Sequence, residues 1–215
     1  MKRVSFQLKV RQDRIAEYRD AHRKVWPDML EALRRHGHRN YSIFIDGTGY
    51  LYFYLEMPDD PEKAFSDMAA EEVSARWRDH MRPLFEDTQR TPMVEVFHLA
   101  APGDRPPQHG RVGFLLKVRR ERIDGYREHH RKVWPDMLSA LQKHGWHNYS
   151  LFMRSDGLLF GYVEVAQPFE QALAGMAGEE VNARWQALMA PYFENLGGGR
   201  PDQNMRQLTE AFHLD

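Results

Sequence analysis

His22-Arg23-Lys24-Val25-Trp26-Pro27-Asp28-Met29-Leu30 is written twice in this chain, letter for letter, returning as His130 to Leu138. Outward from that block the two halves of the 215 residues stay in gapless register at an offset of 108, from Val4/Val112 to Glu86/Glu194. Roughly half of the positions in that span are identical. The period is too long for a solenoid unit, so the chain is a tandem domain duplication. Register is regained at an offset of 115 where Glu95 to Leu99 matches Glu210 to Leu214. The extra residues fall in or near Leu196 to Asp202, a Gly-rich stretch that reads as a flexible insertion, and Ala101 to Pro107 reads as a linker. The expected organisation is a first repeat over 1–100, a linker over 101–110 and a second repeat over 111–215.

The block sits in a helical pattern. Ile15, Tyr18, His22, Trp26, Met29, Leu30 and Leu33 recur along one side of a helix expected over Asp13 to His36. Pro27 falls inside it and predicts a kink or break after Trp26. His36-Gly37 is a helix end. An alternating strand over Val4 to Val10 precedes the helix. A hairpin follows, from Asn40–Ile45 through Asp46-Gly47-Thr48-Gly49 to Tyr50–Glu56. A second helix from Pro61 to about Met81 and a closing strand from Met93 to Leu99 complete the unit. The order β-α-β-β-α-β is the ferredoxin-like arrangement, in the α+β class. One such sheet carries helices on a single face. The expected architecture is therefore two repeats pairing into a pseudo-symmetric dimeric α/β barrel within one chain, in effect a covalent dimer that is free to oligomerise further.

Thirty basic and thirty-one acidic side chains nearly cancel, to a formal net charge of −1, which gives no general drive towards nucleic acid or an anionic membrane. With no cysteine, thiol nucleophiles and thiolate metal sites are excluded. No apolar run approaches the ~18 residues of a membrane span, and Met1 to Ser5 lacks the apolar core of a signal peptide, so a cytoplasmic address is expected. Walker, GxGxxG and GxSxG patterns are missing from the sequence. His36 and His38 are two apart whereas His144 and His147 are three apart, so no metal-ligand spacing is reproduced. No cofactor and no metal are expected.

The repeated polar and aromatic set is Tyr18/Tyr126, His22/His130, Trp26/Trp134, Asn40-Tyr41/Asn148-Tyr149 and Trp77/Trp185. Each Tyr–His pair is spaced i, i+4 and shares a helix face. Trp26, followed at once by Pro27, reads as packing near a kink. An imidazole among Tyr and Trp rings suits a small sugar-like substrate, since rings cover its C–H surfaces and polar tips meet its hydroxyls. His is also the usual acid or base near neutral pH. Spacing alone leaves packing and chemistry both open. His36 and His144 at helix ends are explained by the helix dipole, and His98 and His213 in the closing strands fit either role.

At these residues the sequence resembles the L-rhamnose mutarotases. The resemblance runs through Glu17 to His22, Val25-Trp26-Pro27, His36-Gly37, Asn40-Tyr41, Arg76-Trp77 and Glu95-Val96-Phe97. It runs again through Tyr126, His130, Trp134-Pro135, His144-Gly145, Asn148-Tyr149, Arg184-Trp185 and Glu210-Ala211-Phe212. The resemblance implies that His22 and His130 are proton donors, and that Tyr18, Tyr41, Trp77, Tyr126, Tyr149 and Trp185 contact substrate. The second tryptophan of that family's Trp-Trp pair is replaced by Arg78 in one half and Gln186 in the other, which places these two on the substrate wall and alters which sugar is accepted. The implied activity is interconversion of the α and β anomers of L-rhamnose or a related monosaccharide, a reaction that needs acid–base groups alone. Two other readings fit the same fold: a non-catalytic sugar-binding module, and a small oxygenase or haem-binding protein.

Overall fold

The computed structural model describes residues 1–103 and 109–215; residues 104–108 of the expected linker lie outside the described residues. In chain order the elements are β1 (Lys2–Val10), α1 (Ile15–His22), α2 (Pro27–Arg35), β2 (Arg39–Ile45), β3 (Tyr50–Met57), α3 (Pro61–Ala70), α4 (Glu72–Met81) and β4 (Phe85–Leu99). They repeat as β5 (Gly110–Lys117), α5 (Ile123–Arg131), α6 (Pro135–Lys143), β6 (Trp146–Met153), β7 (Leu158–Val165), α7 (Phe169–Ala177) and α8 (Glu180–Met189), and end with β8 (Arg206–Gln207) and β9 (Thr209–Leu214). The α+β class and the duplicated unit agree with the sequence reading.

The compact units do not coincide with the two halves of the chain. One consists of Met1–Met93 with Thr209–Asp215, and the other of Val94–Leu208. In the first unit the antiparallel order is β4-β1-β3-β2-β9, so the last strand of the second repeat pairs with β2 through Tyr41↔Leu214, Ser42↔His213 and Ile43↔Phe212. In the second the order is β8-β5-β7-β6-β4, with the end of β4 on β6 through Phe97↔Leu151, His98↔Ser150 and Leu99↔Tyr149. Each closing strand thus crosses out of its own repeat. His98 and His213 act as pegs at these joins, with Nδ1 of each 2.9 Å from Oγ of Ser150 and Ser42 respectively.

Both long helices expected in each repeat are divided. Trp26 is extended (φ −61°, ψ 137°), because a residue before proline is driven out of the helical region, and Pro27 opens α2 at a position where its missing N–H is no loss. The break is wider than a kink, since α1 already ends at His22. The second helix divides at Glu71, also extended (φ −66°, ψ 136°). Its carboxylate accepts from Nε2 of His36 at 2.7 Å and Nη2 of Arg35 at 2.9 Å, tying the end of α2 to the α3–α4 corner. Glu179 repeats the arrangement with His144 and Lys143, each at 2.7 Å. The two helix-end histidines are therefore hydrogen-bond donors to a carboxylate beyond any helix-dipole effect.

Strands β2 and β3 are buried on both faces. Ile43, Leu51 and Leu55 pack under the helices, and Phe44, Tyr52 and Tyr54 on the alternate face are as deeply buried. The hairpin between them turns at Gly49 (φ +91°), where a Cβ would strike the carbonyl of Val10. Among the described residues no helix is long and apolar enough to cross a membrane.

Candidate functional site

The site is built from α1, whose interruption leaves His22 at its last turn. Its Nδ1 lies 3.0 Å from the carbonyl oxygen of Tyr18, one turn earlier. A carbonyl only accepts, so Nδ1 carries the proton and Nε2 carries the lone pair of the neutral ring. The Tyr18 ring lies 4.1 Å from the imidazole at a 31° tilt, and Trp77 and Phe212 meet it edge-on at 5.6 and 5.7 Å. The second unit copies this closely: His130 Nδ1 is 2.9 Å from the Tyr126 carbonyl, with Tyr126 stacked at 4.0 Å, Trp185 edge-on at 5.4 Å and Phe97 at 5.9 Å. Removal from water disfavours the imidazolium. Burial outweighs the carbonyl contact, which favours it, and lowers both histidines to about 4. Both rings are therefore neutral at physiological pH.

Tyr41 reaches the same space through a local irregularity in β2. Asn40 takes a left-handed conformation (φ 43°), and the β2/β3 register shifts between Arg39 and Ser42. The Asn40 amide donates to Oε1 of Glu56 at 2.8 Å, and Tyr54 Oη donates to the same oxygen at 3.0 Å. Asn148 (φ 44°), Glu164 and Tyr162 form the same bridge, at 2.9 and 3.2 Å. These bridges hold the strand where it bulges, with Tyr41 and Tyr149 turned onto the helix-covered side. Burial raises both phenols above their ordinary value, so they are neutral hydrogen-bonding groups.

Each unit carries a cavity, open to solvent, at this place. That of the first is about 780 Å³ and is lined by His22, Tyr41, Trp77 and Arg78 among others. That of the second is about 500 Å³ and is lined by His130, Tyr149, Trp185 and Gln186. Of the sequence-derived set, Tyr18 stands behind His22 and does not line the larger cavity, while Tyr126 lines a smaller adjoining cavity of about 340 Å³ with His130. Trp26 and Trp134 pack edge-on against Trp77 and Trp185 at 5.1 and 5.3 Å, under the guanidinium groups of Arg76 and Arg184.

The two walls opposite the histidines are made differently. Arg78 donates to the Ala69 carbonyl at 3.3 Å and stays exposed. Gln186 is buried: its amide donates to Asn182 Oδ1 at 3.0 Å, and its carbonyl accepts from the Asp202 backbone N–H at 3.2 Å. Asn182 also donates to Asp202 Oδ2 at 3.0 Å, and Arg200 pairs with the same carboxylate at 3.0 Å. The stretch expected to be a flexible insertion therefore ends in a short 3-10 turn, Pro201–Gln203, tied onto the second cavity. The sequence offered no signal for this, because loop composition does not reveal which side chains the loop will meet.

Phe97, Phe212, His38, Trp146 and Arg90 also line the cavities, and the sequence reading assigned none of them a substrate-binding role. Which cavity each phenylalanine lines follows only from the exchange of the closing strands. His38 and Trp146 occupy equivalent positions at the offset of 108, and each leaves a buried ring nitrogen without a partner, Nδ1 and Nε1 respectively.

The fold and the cavities define an α+β chain of two ferredoxin-like units, each with one aromatic-walled cavity against a buried neutral imidazole. A family model described as L-rhamnose mutarotase matches residues 3–99 and again 111–214. The L-rhamnose mutarotase of Oceanobacillus iheyensis is 36% identical over 106 residues, covering 49% of this chain and 98% of that protein. That of Bacillus subtilis is 42% identical over 105 residues, covering 46% and 99%. A solved structure from Lactobacillus acidophilus, described provisionally as a monooxygenase, shares the fold over 100% of both chains with a TM-score of 0.63 at 9% identity. The chain belongs to the L-rhamnose mutarotase family and carries the family's unit twice. At the level of that family it is an isomerase of the mutarotase type.

Proposed function

We propose that the chain interconverts the α and β anomers of L-rhamnose or a related monosaccharide, with one site in each unit and His22 and His130 as the proton-transfer groups. The observation that carries this reading is the twice-built imidazole, neutral, fixed through Nδ1 to a helix carbonyl and set in the wall of an aromatic cavity.

The reaction runs as a proton relay across one ring nitrogen. Nε2 takes the proton of the anomeric hydroxyl, the C1–O5 bond breaks with its electron pair passing to the ring oxygen, and the imidazolium returns the proton there. Rotation about C1–C2 presents the other face of the aldehyde, and the same steps reversed close the ring. The proton-donor role implied by resemblance is the second half of this relay, and the neutral resting ring supplies the first. Trp77 and Tyr41, with Trp185 and Tyr149, offer faces for the sugar's C–H surfaces and hydroxyls for its polar edge. The test is anomer exchange measured by saturation-transfer NMR on the His22→Gln, His130→Gln double variant, with its fold checked by circular dichroism. Exchange should fall to the uncatalysed rate; exchange at the wild-type rate in the folded variant overturns the proposal.

A further inference from the structure

We infer that the two cavities take different sugars: the first is built for an acidic monosaccharide, carrying a carboxylate or phosphate, and the second for a neutral one. The inference deepens the mutarotase reading and rests on it for the chemistry, though not for the binding.

Two arginines from separate elements, Arg78 on α4 and Arg90 on β4, line the first cavity, and among the described residues no carboxylate lines it. Neither arginine has a carboxylate partner among the described residues. The Arg90 guanidinium lies over the rings of Phe65 and Phe6, at 4.2 and 5.0 Å from their centroids, which fixes its plane at the cavity wall. Arg78 is steadied by its bond to the Ala69 carbonyl, and Ala69 lines the same cavity. Planar guanidinium forks of this kind recognise carboxylate and phosphate oxygens. On the same wall stands His38, 2% exposed, which adds a polar side chain to the lining.

The second cavity differs in its charged lining. Gln186 stands at the position of Arg78, no arginine or lysine among the described residues lines the space, and Asp202 closes it. The Asp202 charge is already met by Arg200 and Asn182, so an incoming anion would find a carboxylate and no free cation. Trp146, a donor only, replaces His38. The space is also smaller than that of the first unit. A hydroxyl-bearing sugar without an acid group matches what remains.

The test uses the full chain with galacturonate, glucose 6-phosphate and galactose as probes, with binding followed by calorimetry and exchange by NMR in parallel. An acidic probe should bind about tenfold or more tighter than galactose in the His130→Gln chain, the increment of one charge-assisted hydrogen bond. Arg78→Gln with Arg90→Gln should remove that preference, and added salt should weaken it. The His22→Gln chain should exchange the neutral sugar faster than either acidic one. The two acidic probes separate carboxylate from phosphate as the favoured group. Equal affinity for charged and neutral probes, or a preference unchanged in the double arginine variant, overturns the inference. Acidic-sugar binding without exchange leaves it standing and removes the mutarotase reading for that site.

Discussion

With Nδ1 of His22 and His130 committed to a helix carbonyl, the reactivity of each imidazole lies at Nε2. Folding lowers both rings from the ordinary value of 6.5 to about 4, so protons bind the unfolded chain more tightly than the folded one. The sign follows: the stability that these neutral rings allow is intact above pH 6.5 and is lost as pH falls towards 4. Thermal unfolding followed by circular dichroism should show a midpoint that drops across this window, with a smaller drop in the His22→Gln, His130→Gln chain. The acidic limb of kcat/KM, which reports the free enzyme, should lie near 4 and not at 6.5. A residue of a different kind, Asn148, holds the strand bulge behind Tyr149. Replacing it with Ala should cost about 2–3 kcal/mol, from the left-handed backbone and the lost bond to Glu164 together. Asn148→Gly should recover the backbone part alone, as read by urea denaturation. The repeated Asn-Tyr pair was visible in the sequence; its left-handed asparagine was not, because that conformation is imposed by the acceptor on the neighbouring strand.

At the scale of elements, the helix break matters more than the helix. Periodicity predicted one helix over 13–36, and Pro27 predicted its interruption, but a heptad-like pattern continues in phase through a short break and so hides its width. The break presents His22 at a free helix end. The 3-10 turn Pro201–Gln203 is the element that distinguishes the second cavity. Asp202→Ala removes its bond to Asn182 and its pair with Arg200, while the backbone bond to Gln186 stays available. In a His22→Gln background, where only the second site works, this change should raise KM roughly three- to tenfold with a smaller effect on kcat, measured by exchange against sugar concentration. An unchanged KM would mean that the turn does not shape that cavity.

For the whole molecule, the exchange of closing strands assigns each cavity a residue from the other repeat. Phe97 belongs to the first repeat and meets His130, whereas Phe212 belongs to the second and meets His22. Phe97→Ala should therefore impair the His130 site and spare the His22 site more, and Phe212→Ala the reverse. Each effect should be roughly tenfold in exchange, read in the His22→Gln and His130→Gln backgrounds. The uncrossed pattern would refute the assignment. Fusion makes this arrangement available within one chain, since the strand each repeat lends is covalently present in its partner.

The sequence by itself determined the duplication, the α+β strand and helix order, and the repeated histidines and tryptophans that line the two cavities, because these follow from identity at a fixed offset and from local hydrophobic period. Only the tertiary structure decided which strand completes which unit, that the Gly-rich insertion closes one cavity, and that Arg90 joins Arg78 while Gln186 is locked by Asn182. Those are contacts between residues far apart in the chain. Their geometry depends on how strands pair and where loops land, and no local pattern of residue types carries that information.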